Sequence, residues 1–309
     1  MDDSTPQAPI VVGVDGSEVS LEAVEWAAAE AVARHRRLRV VHAFIWPLLR
    51  VPVGPSSYAP PGSGLQADAQ RILDEALVRA RESAPGIDVT GAMPVGAPVP
   101  VLLSEIEQAP LVVLGSRGLG GFSGLLVGST GVQVAAHASC PVIVVRPVST
   151  EPSNLLTTDQ VLVGVDGSSL SVAALEFGFV EAVRLGVGVV AVHVAASHVP
   201  GDGSVDVLTE EHAPKQARLL AEALAGWPEK YPDVPIRRVL LRGHAGRALT
   251  EASKGARLLV VGSRGLGGFR GLLLGSVSHA ALHHAHCPVA VVPTQDRISD
   301  LQVRRLGDD

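Results

Sequence analysis

The chain has 309 residues, which suits two domains, because one domain typically holds about 100–200 residues. Hydrophobic residues make up 47% and charged residues 18%, so the chain can build a packed core and is too apolar to be intrinsically disordered. The net charge of −6 gives no overall attraction to nucleic acid or to an anionic membrane, and neither is expected as a partner.

The N-terminus and the cysteine content predict a cytoplasmic protein. Residues 1–6 lack the basic head and apolar stretch of a signal peptide. No apolar run reaches the ~20 residues that a membrane-spanning helix needs. Cys140 and Cys287 are the only cysteines, which excludes a disulfide framework and a Cys-rich zinc module.

In chain order, the first half alternates short β-branched runs with Ala-rich and Glu-rich segments of helical spacing. Such alternation predicts an α/β fold, with a parallel sheet covered by helices on both faces. The predicted strands are residues 10–15, 38–44, 89–94, 111–115 and 141–145, and the predicted helices are residues 17–36, 65–84, 98–109 and 129–138.

The second half repeats the first, which indicates a duplicated domain. Ile-Val-Val-Gly-Val-Asp-Gly-Ser at residues 10–17 returns as Val-Leu-Val-Gly-Val-Asp-Gly-Ser at residues 161–168. Gly-Ser-Arg-Gly-Leu-Gly-Gly-Phe at residues 115–122 recurs letter for letter at residues 262–269. The predicted boundaries are residues 1–147 for the first domain, 148–159 for a linker, 160–295 for the second domain and 296–309 for a polar C-terminal tail.

In each copy, a glycine-rich segment joins the fourth strand to the fourth helix, with the spacing Gly-x2-Gly-x9-Gly-Ser. Glycine lets the backbone approach a ligand without a Cβ in the way. The N-terminus of the following helix offers unpaired N–H groups and about +0.5 of partial charge, which suits a phosphate group. Ser129 and Ser276 can cap these helices, and Arg117 and Arg264 add a full positive charge.

Two common phosphate-binding motifs are excluded. A P-loop ends in Gly-Lys followed by Ser or Thr, and no Gly-Lys pair occurs in the sequence. The dinucleotide fingerprint Gly-x-Gly-x-x-Gly belongs at the first strand–helix turn, whereas Gly118, Gly120 and Gly124 follow the fourth strand with a wider spacing. Neither P-loop hydrolysis nor NAD binding fits.

These motifs together resemble the universal stress protein family, in the tandem form typical of actinobacteria and in its ATP-binding branch. The resemblance rests on Val-Gly-Val-Asp-Gly-Ser at the first strand, Val-Val-His at the second, the glycine spacing after the fourth and Cys-Pro-Val before the fifth. It implies two Rossmann-like domains of the adenine nucleotide alpha hydrolase type, each with strand order 3-2-1-4-5. ATP would lie across the carboxyl ends of the first and fourth strands, with Mg²⁺ or Mn²⁺.

By the same resemblance, each domain holds one nucleotide in matching positions. Asp15 and Asp166 would lie at the adenosine end or near the bound metal ion, and main chain at Val41 and Val192 would bind the adenine edge. The predicted binding residues of the first domain are Gly13, Asp15, Val41, Gly115, Ser116, Arg117, Gly118, Leu119, Gly120, Gly121, Gly128, Ser129 and Thr130. Those of the second are Gly164, Asp166, Val192, Gly262, Ser263, Arg264, Gly265, Leu266, Gly267, Gly268, Gly275, Ser276, Val277 and Ser278.

Several of these side chains also have purely structural interpretations. Asp-Gly-Ser after a strand is a good turn and helix cap, which can coexist with ligand binding at Asp15 and Asp166. Cys140 and Cys287 are expected to be buried apolar side chains rather than redox groups, and His42 and His193 to be hydrogen-bonded core residues. The run His283-His284-Ala285-His286-Cys287 suggests a metal site, but adjacent helical residues point to different faces, so none is predicted there.

The resulting hypothesis is a regulatory ATP-binding protein of stress or dormancy. The alternatives are a slow ATPase or nucleotidyl enzyme, and a protein-interaction module that binds another adenine nucleotide such as cyclic AMP. No candidate base besides aspartate is found, so slow or absent turnover is expected. The family resemblance also implies pairing through the fifth strand, between the two copies and in a homodimer, and an unidentified protein partner.

Overall fold

The computed structural model describes residues 7–45, 64–117, 128–148, 155–156, 159–168, 170–196, 204–265 and 273–293. The chain divides into two compact units, Met1–Val145 and Arg146–Asp309, called unit 1 and unit 2. The predicted tail and most of the predicted linker lie outside the described residues.

Unit 1 is an α/β unit whose five strands are all parallel. The hydrogen-bonded order is β3-β2-β1-β4-β5, so the strand order reverses between β1 and β4. The elements are β1 (Ile10–Gly13), α1 (Glu18–Ala33), β2 (Leu38–Val41), α2 (Leu65–Ser83), β3 (Val89–Ala92), α3 (Pro98–Glu105), β4 (Val112–Gly115), α4 (Ser129–His137) and β5 (Val142–Val145).

Unit 2 repeats this arrangement, with order β8-β9-β7-β6-β10-β11. All pairs within it are parallel except β8 on β9, which is antiparallel. The elements are β6 (Val161–Gly164), α5 (Ser171–Leu185), β7 (Val189–Ala195), β8 (Asp206–Leu208), α6 (Pro214–Ala223), α7 (Trp227–Lys230), β9 (Ile236–Arg242), α8 (Ala245–Ala252), β10 (Leu258–Gly262), α9 (Ser276–His284) and β11 (Val289–Val292).

The central strands form the core of each unit. The apolar side chains of β1 and β10 are at most 2% exposed, as expected for parallel strands covered by helices on both faces. Alternation of buried and exposed positions is absent from these strands, which explains why their sequences are near-continuous runs of Val, Leu and Ile. The predicted α/β class and the parallel sheet are confirmed.

Unit 2 departs from unit 1 in two places. The short strand β8 has no counterpart among the described residues of unit 1, and pairing with β9 places it at the sheet edge. The single helix α2 corresponds to two helices, α6 and α7, because Gly226 takes a left-handed conformation with φ +83°. The sequence analysis predicted neither feature.

Both cysteines are buried, at 5% exposure for Cys140 and 0% for Cys287, and the Cys287 Sγ lies 3.3 Å from the Pro288 carbonyl. The prediction of buried apolar side chains is confirmed. Burial raises the pKa of each thiol to about 12. Only the thiolate reacts readily, and at pH 8 about one thiol in 10⁴ is ionised.

We therefore expect neither cysteine of the native protein to react with Ellman's reagent on a time scale of minutes. Unfolding in guanidinium chloride exposes both thiols, and the same sample should then release two equivalents of chromophore per chain. A fast-reacting thiol in the native protein would contradict the burial.

The helices also show whether the described chain contains a membrane-spanning segment. In the part of the chain that the structure describes, no helix has both the length and the apolar character needed to cross a membrane.

Candidate functional site

Each unit contains one cavity at the carboxyl ends of its two central strands. The cavity of unit 1 lies at the ends of β1 and β4, and that of unit 2 at the ends of β6 and β10. Helices that follow these strands leave toward opposite faces of the sheet, which opens a crevice where the strand order reverses. The volumes are about 160 Å³ in unit 1 and about 500 Å³ in unit 2.

The turn after the first strand of each unit places an aspartate in the cavity wall. The Asp15 Oδ1 accepts a hydrogen bond from the Ser17 N–H at 3.1 Å and lies 2.7 Å from the Ser17 Oγ. Gly16 between them takes φ +88°, a conformation that glycine adopts without steric strain. Ser17 also caps α1, since its Oγ accepts from the Ser20 N–H at 3.3 Å.

Unit 2 forms the same turn. The Asp166 Oδ1 accepts from the Ser168 N–H at 3.0 Å and lies 2.6 Å from the Ser168 Oγ. The other carboxylate oxygen faces the glycine segment, because a Cβ built on Gly265 would lie 2.5 Å from the Asp166 Oδ2. The turn role and the position in the cavity wall therefore coexist in both units.

The two ends of the glycine segment are held together. In unit 1 the Gly128 N–H donates to the Ser116 carbonyl at 2.8 Å, and in unit 2 the Gly275 N–H donates to the Ser263 carbonyl at 2.8 Å. Each segment thus leaves the sheet and returns to a helix at one edge of the cavity. The predicted residues Gly118, Leu119, Gly120, Gly121, Leu266, Gly267 and Gly268 lie between these ends, outside the described residues.

The helices that follow begin without a side-chain cap. Gly128 and Gly275 are the N-cap residues of α4 and α9, and neither helix has a capping side-chain hydrogen bond. The prediction that Ser129 and Ser276 cap these helices was wrong, because each serine is already the first helical residue. Backbone N–H groups of the first turn are therefore left for a ligand or solvent.

The first turns of α4 and α9 differ in their side chains. Thr130 and Gly131 line the cavity of unit 1, whereas Val277 and Ser278 occupy the equivalent positions in unit 2. Ser278 is 1% exposed, and its Oγ lies 3.1 Å from the Ser263 carbonyl and 3.0 Å from the Gly275 carbonyl. Its hydroxyl hydrogen therefore serves the protein backbone, whereas the hydroxyl of Thr130 in unit 1 has no counterpart at Val277.

Two buried polar atoms at the edge of the unit 2 cavity have no hydrogen-bond partner among the described residues. They are the Nε of Arg264, which lines the cavity, and the Oγ of Ser263, which is fully buried beside it. Leaving a buried donor unsatisfied costs about 1–3 kcal/mol, more for a charged group. An acceptor bound in the cavity would remove that cost at Arg264.

Part of the wall of each cavity is apolar. Leu102 and Leu249 occupy equivalent places in the two repeats, and Leu114 and Val261 lie on the central strands. The cavities thus combine an apolar wall with a helix N-terminus and an arginine, which suits a ligand with a flat apolar part and an anionic part.

Most predicted residues within the described ranges come together in the two cavities. Ser116, Ser129 and Ser263 do not line them. Unit 1 collects Gly13, Asp15, Val41, Gly115, Arg117, Gly128 and Thr130, and unit 2 collects Gly164, Asp166, Val192, Gly262, Arg264, Gly265, Gly275, Ser276, Val277 and Ser278.

The cavities also contain residues that the sequence analysis did not assign to them. His42 and His193 line the walls, and their Nδ1 atoms lie 2.9 and 2.8 Å from the carbonyls of Val14 and Val165, which confirms the predicted hydrogen bonding. The remaining additions are Val14, Ser20, Ala43, Pro98, Leu102, Leu114 and Gly131 in unit 1, and Val165, Ser171, Val194, Ala245, Leu249, Val261 and Leu274 in unit 2. Most of these residues occupy equivalent positions in the two repeats, and that equivalence was the signal in the sequence that could have identified them.

The described residues around Asp15 and Asp166 do not form a cluster typical of a protein metal site. Among the residues described, no three His, Cys, Asp or Glu side chains cluster closely enough to hold a metal ion. A nucleotide or water could supply further ligands to a cation held at either aspartate.

Comparison with known proteins agrees with the geometry. The family model described as "Universal stress protein family" matches residues 8–146 and 157–293. Universal stress protein Rv2005c of Mycobacterium tuberculosis is 38% identical over 302 residues, covering 92% of this chain and 97% of that protein. Universal stress protein Rv2623 of the same organism is 38% identical over 294 residues, covering 91% and 95%.

A solved structure supports the fold independently. The crystal structure of a universal stress protein from Archaeoglobus fulgidus covers 94% of this chain and 98% of its own, with a TM-score of 0.64 at 20% identity. Two family matches along one chain, and relatives that align over more than nine-tenths of it, account for the sequence repeat. The chain belongs to the universal stress protein family, in its tandem two-domain form.

Proposed function

We propose that this protein binds an adenine nucleotide, ATP foremost, in each of its two units, and that nucleotide occupancy regulates a stress response. One observation carries the proposal. The uncapped N-terminus of α9 and the unpartnered Nε of Arg264 line the same cavity as the apolar side chains of Leu249 and Val261. Such a cavity offers separate places for a nucleobase and for phosphates.

The residues divide between the two ends of the nucleotide. Leu249 and main chain at Val192 would hold the adenine, and the first turn of α9 with Arg264 would hold the phosphates. Asp166 in the same cavity would repel a phosphate unless a cation lay between them, so Mg²⁺ or Mn²⁺ is proposed to accompany the nucleotide. In unit 1 the corresponding contacts would come from Val41, Asp15, Arg117 and the first turn of α4. Leu102 would take the place of Leu249.

The two sites are proposed to differ in affinity. Ligand cavities usually measure about 300–1,000 Å³. The 500 Å³ cavity of unit 2 lies in that range, whereas the 160 Å³ cavity of unit 1 lies below it and has to widen before a nucleotide enters. Widening costs free energy that lowers the affinity of unit 1.

A slow ATPase is the second candidate, since an aspartate and a histidine line each cavity. Fast phosphoryl transfer needs an oriented water molecule and stabilised charge at the γ-phosphate. The ring Nδ1 of His42 donates to the Val14 carbonyl, so the unprotonated Nε2 and the Asp15 carboxylate are the candidate bases in unit 1. We expect turnover below about one per second, the lower end of the kinase range.

The proposal is tested by identifying and titrating the ligand. The full chain is purified, its small molecules are released by denaturation, and mass spectrometry identifies them. The stripped protein is then titrated calorimetrically with ATP, ADP, AMP and cyclic AMP. We expect ATP in the released fraction and two sites per chain of unequal affinity.

Other results would redirect or end the proposal. Cyclic AMP in the released fraction with tighter binding than ATP would replace ATP as the ligand. Absence of binding by every adenine nucleotide would overturn the proposed function, and phosphate release faster than about one per second would favour the enzyme.

We also propose that the chain self-associates, because the family resemblance implies pairing through the fifth strand of a unit. Sedimentation equilibrium of the full chain tests it, and a monomer at all concentrations examined would exclude a homodimer. A protein partner is proposed on the same ground, and co-purification with and without ATP would test it.

A further inference from the structure

Helix α9 carries two histidines one turn apart on its accessible side. His279 is exposed, His283 is partly buried, and their ring centroids lie 4.4 Å apart with the ring planes inclined by 33°. The ring of His284 lies farther off, 6.0 Å from His283. The sequence analysis considered residues 283–287 and did not single out the pair at positions 279 and 283.

The rings of His279 and His283 differ from the rings of four other histidines, in which a nitrogen has a hydrogen-bonding partner. In those, a ring nitrogen lies within 3 Å of a carbonyl or a hydroxyl oxygen, at His42, His137, His193 and His212. His279 and His283 contact each other instead, and neither ring has a hydrogen-bond partner among the described residues. Their ring nitrogens remain available as ligands.

The spacing of the rings agrees with a cis pair of metal ligands. With a metal–nitrogen bond of about 2.0 Å, the metal lies about 3.2 Å from each ring centroid. Ligands at right angles then place the centroids about 4.5 Å apart, against about 5.2 Å for tetrahedral ligands. The observed 4.4 Å lets both rings reach one metal ion once rotation about the side-chain bonds turns a nitrogen of each ring toward it.

We propose that His279 and His283 form a surface site for a divalent transition metal ion, with Cu²⁺ bound most tightly and Ni²⁺ next. Histidines four residues apart on a helix are an established way to hold such ions. The remaining coordination positions face solvent. Mg²⁺ is not bound, because it prefers oxygen ligands.

The site belongs to unit 2 alone. In unit 1 the equivalent positions are Val132 and Ala136, and only His137 remains, with its Nδ1 2.8 Å from the Gln133 carbonyl. The proposal is independent of nucleotide binding, although His279 directly follows Ser278 in the cavity wall. Nucleotide-free protein therefore provides the test.

Calorimetric titration of the untagged, nucleotide-free full chain with CuCl₂, NiCl₂ and MgCl₂ tests the proposal. We expect one Cu²⁺ and one Ni²⁺ per chain and no heat from Mg²⁺. His279→Ala and His283→Ala should each weaken Cu²⁺ binding by about tenfold or more, since either change leaves a single ligand. Electron paramagnetic resonance of the Cu²⁺ complex should show coupling to two nitrogens.

His284→Ala is the matched control, because it removes an exposed histidine of the same helix, and its Cu²⁺ affinity should equal that of the wild type. Circular dichroism establishes that each variant is folded. The proposal is overturned if the wild type binds no Cu²⁺, or if His279→Ala and His283→Ala bind it as tightly as His284→Ala does. Loss of binding in His284→Ala alone would also overturn it.

Discussion

Replacing Arg264 by alanine is expected to weaken adenine nucleotide binding in unit 2 by about tenfold to a hundredfold. The guanidinium lines the larger cavity, and its Nε has no partner without a ligand. A hydrogen bond to a charged group contributes about 1.5–3 kcal/mol, which corresponds to that range of affinity. Calorimetric titration with ATP measures the change.

The same substitution should not lower the stability of the ligand-free protein by more than about 1 kcal/mol. It removes a buried unsatisfied donor, whose cost of about 1–3 kcal/mol offsets the packing lost with the side-chain stem. A large loss of nucleotide affinity together with little change in the unfolding free energy distinguishes a ligand-binding arginine from a structural one. Urea denaturation without nucleotide measures the unfolding free energy.

Arg257→Ala is the matched control in the same unit. Arg257 forms an exposed ion pair with Asp159 and does not line the cavity, so nucleotide affinity should be unchanged. Arg264→Lys keeps the charge but loses the planar donor group, and we expect an intermediate affinity. Equal affinities of Arg264→Ala and Arg257→Ala would show that Arg264 makes no contact with the nucleotide.

The sequence was sufficient to predict the elements that repeat. Buried parallel strands such as β1 and β6 need continuous apolar runs, and the helices that cover them need helical spacing, so both leave local patterns. The duplication strengthened every assignment, because the same pattern occurred twice. The glycine spacing likewise located the cavity wall after β4 and β10.

Other features could not be predicted from the sequence, because no local pattern specifies them. Strand β8 owes its pairing to the edge of β9, and the break at Gly226 depends on a left-handed conformation that a single glycine permits but does not require. The cap residues were assigned one position too late, because glycine at an N-cap carries no side-chain signal. Cavity volume and the unpartnered Nε of Arg264 arise from tertiary packing, which no local pattern contains.

Glycines that look alike in the sequence serve different purposes in unit 1. A Cβ on Gly115 would lie 3.1 Å from the backbone of Val19 and Ser20, so this glycine allows α1 to pack against β4. Among the described residues, the nearest neighbour of a Cβ on Gly128 would be the Ser116 carbonyl, at 3.8 Å. The described part of the fold therefore has no steric need for glycine at position 128.

Gly128→Ala is accordingly expected to leave the fold intact and to weaken nucleotide binding in unit 1 by about tenfold or more. Its φ of −67° and ψ of 147° suit alanine, so the unfolding free energy should change by no more than about 0.5 kcal/mol. The added methyl group stands at the N-terminus of α4, where phosphate oxygens would approach the first-turn N–H groups. Losing one such charge-assisted hydrogen bond accounts for the weakened binding.

Two comparisons make the Gly128→Ala result decisive. The affinity of unit 2 should stay the same in the same titration, because the substitution lies in unit 1. Gly115→Ala should lower the unfolding free energy by about 1–3 kcal/mol, since its Cβ meets backbone that cannot move aside. If Gly128→Ala instead binds two nucleotides as the wild type does, the N-terminus of α4 is not a phosphate site, and the glycine spacing in unit 1 needs another explanation.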